Sequence, residues 1–306
     1  MTDVPRSPVQ GVELWTPKDD WLVLRSGAYG RHTEFARVSA RSRFRRGEGL
    51  PGAVWATQQA FVWRDLGTHF VRAEHAAAAG IDAALGFPCF HGRELVGVIT
   101  FLLTASANSP ACVEIWHHDD GLDVLRHGGG LYARTGEFEK LSKLLQFPYA
   151  AGLPGLTWSR GIPVLQEDVR ASNEFVRAEL ARQIGLKRAV GVPLYRERRV
   201  IHVLTLIGAE SKCFVRACEL FLQEEQGLVS KAGFEDDAVT PGHPAPAGMP
   251  HPREALARDA RLSRLPIIIP GPARQAREGA AQGSEILMAL PIHDGVRLRG
   301  VICLEF

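Results

Sequence analysis

The residues in this 306-residue chain whose types could do chemistry are five cysteines, eleven histidines and two aspartate and arginine combinations. Cys89, Cys112, Cys213, Cys218 and Cys303 are odd in number, and no pair has Cys-x-x-Cys spacing, so they read as reduced, mostly buried thiols. A catalytic thiol also needs an activating neighbour and a resolving partner, and these five are scattered along the chain. His69, His75, His91 and His202 stand at no ligand spacing from another His, Cys or carboxylate, and the adjacent His117 and His118 fall in a predicted turn, so all read as incidental. Asp65 and Asp168 each end a predicted strand facing a helix that carries Arg72 or Arg177, where they could pair with the arginine or flank an anionic ligand. Trp55 and Trp158 are large and stiff enough to floor a pocket or to fill a core. Gly49-Leu50-Pro51-Gly52 and Gly152-Leu153-Pro154-Gly155 could cradle phosphate at a helix start, but the Lys-Ser or Lys-Thr of a nucleotide loop is missing, which favours a tight turn. The basic run from Arg31 to Arg46 has no aromatic interleaving and reads as a solvated loop.

The elements that must position these residues are repeated. Val12-Glu13-Leu14-Trp15 returns as Val113-Glu114-Ile115-Trp116 and again as Cys218-Glu219-Leu220-Phe221. The Gly-Leu-Pro-Gly element occurs twice and survives as Gly248-Met249-Pro250 in the third copy, while Phe70-Val71-Arg72-Ala73 matches Phe175-Val176-Arg177-Ala178 with no third counterpart. Pro88, Pro193 and Pro291 each precede an apolar run: Val96-Gly97-Val98, Ile201-His202-Val203 and Arg299-Gly300-Val301. Anchors held in one order in this way mark a tandem repeat. The units divide as 1–105, 106–210 and 211–306, with a Pro-rich loop at 240–252 in the last.

Within a unit, alternating apolar residues around a polar turn predict a hairpin at each end. Between them the order is a short helix after Gly-Leu-Pro-Gly, an extended piece ending at Asp65, and a helix from His69 to Ala79 stopped by Gly80, with Phe70, Ala73, Ala77 and Ile81 on one face. The product is α+β, an antiparallel sheet of five to six strands with short helices.

Charge is nearly balanced, 36 Lys and Arg against 34 Asp and Glu, so there is no global field to gather nucleic acid. The start lacks a secretory pattern and no run approaches the roughly 20 apolar residues of a membrane span, which places the chain in the cytoplasm.

The Gly-Leu-Pro-Gly with its following Trp, the Asp closing the next strand, the Phe-x-Arg-Ala segment and the proline-led hairpin ending Gly-Val-Ile-Thr-Phe resemble GAF domains: well over residues 12–103 and 113–207, weakly over 218–306. The resemblance implies three tandem GAF-like domains, the third degenerate, each with a small-molecule pocket roofed by helices and loops. The pocket candidates it implies are Trp55, Trp63, Asp65, Phe70, Arg72, Cys89 and Thr100 in the first unit, and Trp158, Asp168, Phe175, Arg177 and Thr205 in the second. It further implies a non-catalytic regulatory sensor of an unidentified metabolite, acting in signal transduction through a protein partner that carries the output, with a homodimer among the expected contacts. No cofactor, metal, membrane or nucleic acid is expected. Two alternatives stand beside this reading: a ligand-free scaffold, and a cysteine-dependent reductase similar to free methionine sulfoxide reductase. The long flanking helices of GAF domains are missing from the pattern, so neighbouring units are expected to pack directly on one another.

Overall fold

The computed structural model describes residues 7–67, 70–107, 109–209, 215–235, 251–271 and 286–306. The first unit runs β1 (Val9–Lys18), β2 (Trp21–Ala28), α1 (Thr33–Arg41), β3 (Arg43–Phe44), α2 (Gly49–Thr57), β4 (Phe61–Arg64), α3 (Ala73–Ala79), β5 (Ala83–His91) and β6 (Glu94–Leu103). The second repeats this as β7 (Ala111–Asp119), β8 (Val124–Ala133), α4 (Gly136–Leu144), β9 (Gln146–Pro148), α5 (Gly152–Arg160), β10 (Val164–Gln166), α6 (Ala178–Ile184), β11 (Leu186–Arg196) and β12 (Arg199–Ala209). The third keeps β13 (Ala217–Glu224), β14 (Gly227–Glu235), α7 (Pro252–Ser263), β15 (Ile267–Pro270), β16 (Ile286–Asp294) and β17 (Arg297–Glu305).

Each unit folds into its own antiparallel sheet, in the orders β3-β2-β1-β6-β5-β4, β10-β11-β12-β7-β8-β9 and β14-β13-β17-β16-β15. The two hairpins of a unit meet in the middle, where β1 pairs with β6, β7 with β12 and β13 with β17. This is the expected α+β architecture of five to six strands per sheet with short helices.

Several local expectations are corrected. The basic run is not a loop throughout: Thr33 to Arg41 within it form α1, because Phe35 and Ser39 lie one turn apart and both turn inward. Arg43 and Arg45 then stack on the Trp21 ring at 4.2 and 4.6 Å, and Arg46 lies 4.6 Å over Trp55. The helix expected from His69 begins only at Ala73; residues 68 and 69 lie outside the described residues, and Phe70 to Arg72 form a turn ahead of it. Ala76, not Ala77, is its buried position. Gly80, at φ +68, stops it. Pro252 opens α7 rather than closing the Pro-rich loop, since proline at the first helical turn forfeits no hydrogen bond; residues 240–250 lie outside the described residues. His117 and His118, expected in a turn, sit on β7, which continues to Asp119.

The paired glycines of the Gly-Leu-Pro-Gly elements have different duties. Gly49 and Gly152 take φ of +58 and +61 at the helix start, a left-handed conformation that side chains resist. Gly52 and Gly155 have no room: a Cβ would lie 2.1 Å from the Arg45 carbonyl oxygen and 2.3 Å from that of Pro148. Gly52→Ala is therefore expected to cost about 3 kcal/mol, the upper end of overpacking penalties. Gly80→Ala, which meets nothing within 4 Å, pays only about 1–2 kcal/mol of left-handed strain. Urea unfolding midpoints check the order; equal losses would remove the steric argument.

One face of every sheet carries that unit's helices, and the other turns towards a core shared by all three units. Leu85, Phe87, Ile99 and Phe101 from the first sheet, Ile115, Val190, Val192, Leu204 and Leu206 from the second, and Leu220, Met288, Leu290, Ile302 and Leu304 from the third pack into one buried cluster. Phe101 meets Phe306 edge to face at 5.5 Å across it. Arg64 of β4 donates to the Gly130 carbonyl at 2.8 Å and to Glu139 at 2.7 Å, joining units one and two, and Arg188 covers Phe234 at 5.1 Å between units two and three.

The three closing-hairpin turns meet in a ring. The Gly92 amide donates to the Gly295 carbonyl at 2.9 Å, Gly295 to Glu197 at 2.5 Å, and Glu197 back to Gly92 at 2.8 Å. All three residues are left-handed, at φ +64, +65 and +55. Such a closed cycle requires three equivalent units around one approximate threefold axis. Beneath it Pro88, Pro193 and Pro291 line a central cavity of about 30 Å3, room for a water or two. No helix among the described residues is long and apolar enough to cross a membrane.

Candidate functional site

Under the helices of unit one the carboxylate of Glu13 is surrounded. Arg72 grips it with both terminal nitrogens, at 2.5 and 3.0 Å. Thr100 donates to it at 2.8 Å, the Trp15 indole at 3.0 Å and the Tyr29 hydroxyl at 3.1 Å, while Arg72 also donates to Ser39. Unit two rebuilds the arrangement: Arg177 on Glu114 at 2.6 and 3.0 Å, Thr205 at 2.9 Å, Tyr132 at 2.9 Å, Trp116 at 3.3 Å, and Ser142 accepting from Arg177 at 2.6 Å. Each guanidinium is packed among aromatic rings, Arg72 over Phe35 and Phe70 at 4.8 and 5.0 Å, Arg177 over Phe138 and Phe175 at 4.1 and 5.4 Å.

The elements explain the geometry. Glu13 and Glu114 sit on the central strand of their sheets, pointing to the helix side, while Val12 and Leu14 face the shared core. The arginines occupy the turn just before α3 and α6, which sets them over that strand. Ser39 and Ser142 come from α1 and α4. In unit three the acid is Glu219, but the cation comes from a different element: Arg253, in the first turn of α7, lies 3.8 Å from Glu219 and 3.3 Å from Glu235. Cys303, in the place of Thr100 and Thr205, donates to the Arg253 carbonyl oxygen.

Burial opposes ionisation of both acids, but the facing arginines and the hydrogen bonds more than offset it, holding Glu13 and Glu114 below the ordinary carboxylate range, Glu114 at about 2. A carboxyl whose folded-state value is depressed contributes stability that is fully present above its unfolded value and is lost as pH falls towards the folded one. Acid should therefore weaken the chain between the ordinary 4.5 and about 2, and Glu114→Gln should flatten that slope while lowering stability throughout. Urea midpoints across this range test it; an unchanged slope in the variant would remove Glu114 from the acid response.

The structure brings together Phe70, Arg72 and Thr100, and likewise Phe175, Arg177 and Thr205. Of the two roles open to Asp65 and Asp168, pairing with these arginines is not the one found, because the strand acids hold the arginines instead. Asp65 accepts the Gly67 amide at 3.1 Å, and Asp168 pairs with Arg170 at 2.7 Å. Trp55 is buried and Trp63 half-buried in the helix-side core of unit one. Trp158 lies half-buried against His118 and Tyr149 at ring distances of 4.6 and 5.0 Å. Cys89 packs against the shared core and lines the central cavity, on the other side of the sheet from Arg72. The residues missed were Glu13, Glu114, Trp15, Trp116, Tyr29, Tyr132, Ser39 and Ser142. The available signal was the acid inside an apolar strand, repeated as Glu13, Glu114 and Glu219.

The four described cysteines are free, and Cys213 lies outside the described residues. Burial pushes Cys89 and Cys303 up to about 12, with Glu219 adding to the effect on Cys303; burial also raises Cys112 and Cys218. Thiols held protonated are poor nucleophiles. Among the described residues no group of three or more His, Cys, Asp or Glu could hold a metal ion.

These features define a tandem α+β protein of three antiparallel sheets. No protein-family model matches the sequence, and no curated protein matches it. Solved structures of GAF domains and GAF-like reductases match over about a third of the chain. The nlh2 GAF domain of A. Aeolicus in an inactive state is 22% identical over 31% of this chain and 58% of its own, with a TM-score of 0.27. Free methionine-R-sulfoxide reductase from Neisseria meningitidis, in complex with its substrate, is 20% identical over 32% of this chain and 51% of its own, with a TM-score of 0.26. The NreA protein of Staphylococcus aureus, mutated in its nitrate binding site, is 16% identical over 32% and 76%, with a TM-score of 0.27. The chain thus spans little more than half the length of the first two.

Proposed function

We propose that this chain is a non-catalytic regulatory protein that acts as one body, presenting its outer, helix-side surface to a partner chain that carries the output. The observation that carries this reading is the filled interior of units one and two. The Arg177 side chain is 1% exposed and Glu114 0%, and both terminal nitrogens of the arginine and both carboxylate oxygens are hydrogen-bonded to neighbours. A metabolite enclosed there would have to displace a bidentate buried ion pair. The raised thiols support a non-catalytic role over cysteine redox chemistry. Partner contact is supported by exposed apolar side chains on the outer surface, Val176 at 60% and Tyr149 at 59%, with Val71 repeating Val176 in unit one.

Native mass spectrometry of freshly purified protein tests the first half of this reading. The expected mass is that of the polypeptide alone. A copurified molecule that is retained by the wild type and released by Arg177→Ala would place a ligand inside unit two and overturn it.

A further inference from the structure

The return strand of each closing hairpin carries a position where two units have glycine and one does not. Gly97 and Gly300 leave no space for a side chain: a Cβ would lie 2.8 Å from Leu14 Cδ1 in the first case and 2.3 Å from the Phe221 carbonyl oxygen in the second. In unit two the same position is His202, paired in register with His117 on β7. The imidazoles touch edge to face at 4.5 Å. His202 is 2% exposed, and neither of its ring nitrogens meets a hydrogen-bond partner of good geometry; His117 Nε2 is likewise buried without one. Each such atom costs about 1–3 kcal/mol when nothing compensates it. The fold does not need that expense, since glycine serves twice.

The pair lines a cleft of about 530 Å3 at the junction with unit one, where Gln59 forms part of the wall. The rest of the lining is the turn of unit two, Arg196-Glu197-Arg198-Arg199, together with His118 and Asp120. The charges in it are largely sorted already. Arg199 pairs with Asp120, which also accepts from His118 at 2.8 Å, and Glu197 pairs with Arg93 at 2.8 Å. Arg196 and Arg198 face the cleft without an ion-pair partner among the described residues, Arg196 lying over Phe90 at 5.8 Å. The corresponding turns of the other units, His91-Gly92-Arg93-Glu94 and Asp294-Gly295-Val296-Arg297, carry one arginine each.

We infer that this cleft is a binding site for a small organic anion, whose carboxylate or phosphate groups are held by Arg196 and Arg198 and whose polar body is met by His117 and His202. The volume lies within the range of small-molecule sites. Unpaired arginines suit planar or tetrahedral oxyanions. Burial lowers both imidazoles, with His127 adding to the effect on His117, and His202 falls to about 3, where the neighbouring His117 adds its share. Both rings are therefore neutral, each offering one N–H and one lone pair to a ligand's own donors and acceptors. Among the described residues the paired histidines and their arginines occur in unit two alone. The cleft lies on the side of the sheet away from the Arg177 and Glu114 pair, so it stands or falls independently of whether that interior is filled.

Isothermal titration calorimetry with citrate and with inorganic phosphate tests the inference on the full chain. The wild type is expected to bind at least one probe. His202→Gly, which installs the residue the other two units use, is expected to keep the melting temperature and weaken binding about tenfold, the worth of one or two hydrogen bonds. The Arg196→Ala, Arg198→Ala double variant is expected to abolish it. No heat from either probe overturns the site. So does binding that survives both variants, and so does binding lost in the arginine variant but unchanged in His202→Gly, which would mark a surface arginine patch only.

Discussion

Arg177→Ala is expected to destabilise the chain by about 3–5 kcal/mol, because it leaves the Glu114 carboxylate buried and uncompensated. Glu114 is fully buried on the helix side of its sheet, and among the described residues the two arginine bonds at 2.6 and 3.0 Å are its contacts with a positive charge. Removing them strands the charge, and the remaining donors, Thr205, Tyr132 and Trp116, are all neutral. The variant should relieve itself by protonating Glu114, so its loss should shrink on acidification while the wild type weakens. A double variant, Arg177→Met with Glu114→Leu, removes both charges and keeps the volume, and should recover most of the loss. Urea unfolding of the wild type and both variants at neutral and acid pH checks this. A double variant no better than the single one would mean that packing of the guanidinium among Phe138, Phe147 and Phe175, not charge, sets the cost.

Residues 106–210 expressed alone should fail to form a well-ordered monomer. Their inner face presents Ile115, Leu131, Val190, Val192, Leu204 and Leu206, all buried only because the other two sheets cover them. Exposing six such side chains forfeits on the order of 10 kcal/mol, comparable with the whole stability of about 5–15 kcal/mol of a typical domain. The fragment should bind a hydrophobic dye, lose near-ultraviolet dichroism or aggregate, while the full chain unfolds in a single transition. A monodisperse fragment with sharp amide resonances would show that each unit has a sufficient core of its own.

The sequence disclosed the repeat, both hairpins of each unit and the positions of the glycine punctuation, because turn residues and period-two alternation are local signals. It did not disclose α1, whose inward Phe35 and Ser39 are two positions within a run of arginines, the last of which, Arg43 and Arg45, lie beyond the helix and stack on Trp21. Nor did it disclose the acid that holds Arg72. A glutamate within Val-Glu-Leu-Trp resembles any exposed position of a half-buried strand until the other face is known to be covered. That cover was itself readable in β6, where the run from Val98 to Leu103 is buried on both faces, a pattern that requires packing on both sides of a sheet. The His202 site was hidden for a different reason: its partner His117 lies on another strand, and only the sheet register brings them together.

The ring of three backbone hydrogen bonds among Gly92, Glu197 and Gly295 closes around an axis that no symmetry operator enforces, because one polypeptide supplies all three turns. A homotrimer built the same way would fall apart on dilution and would have to carry every residue three times. Covalent tethering removes both constraints: the junctions form at an effective concentration set by the short linkers, whatever the abundance of the protein. The body can therefore be threefold in shape and onefold in chemistry, with glutamate at one turn where the others keep glycine, and one binding stoichiometry for three copies of the fold.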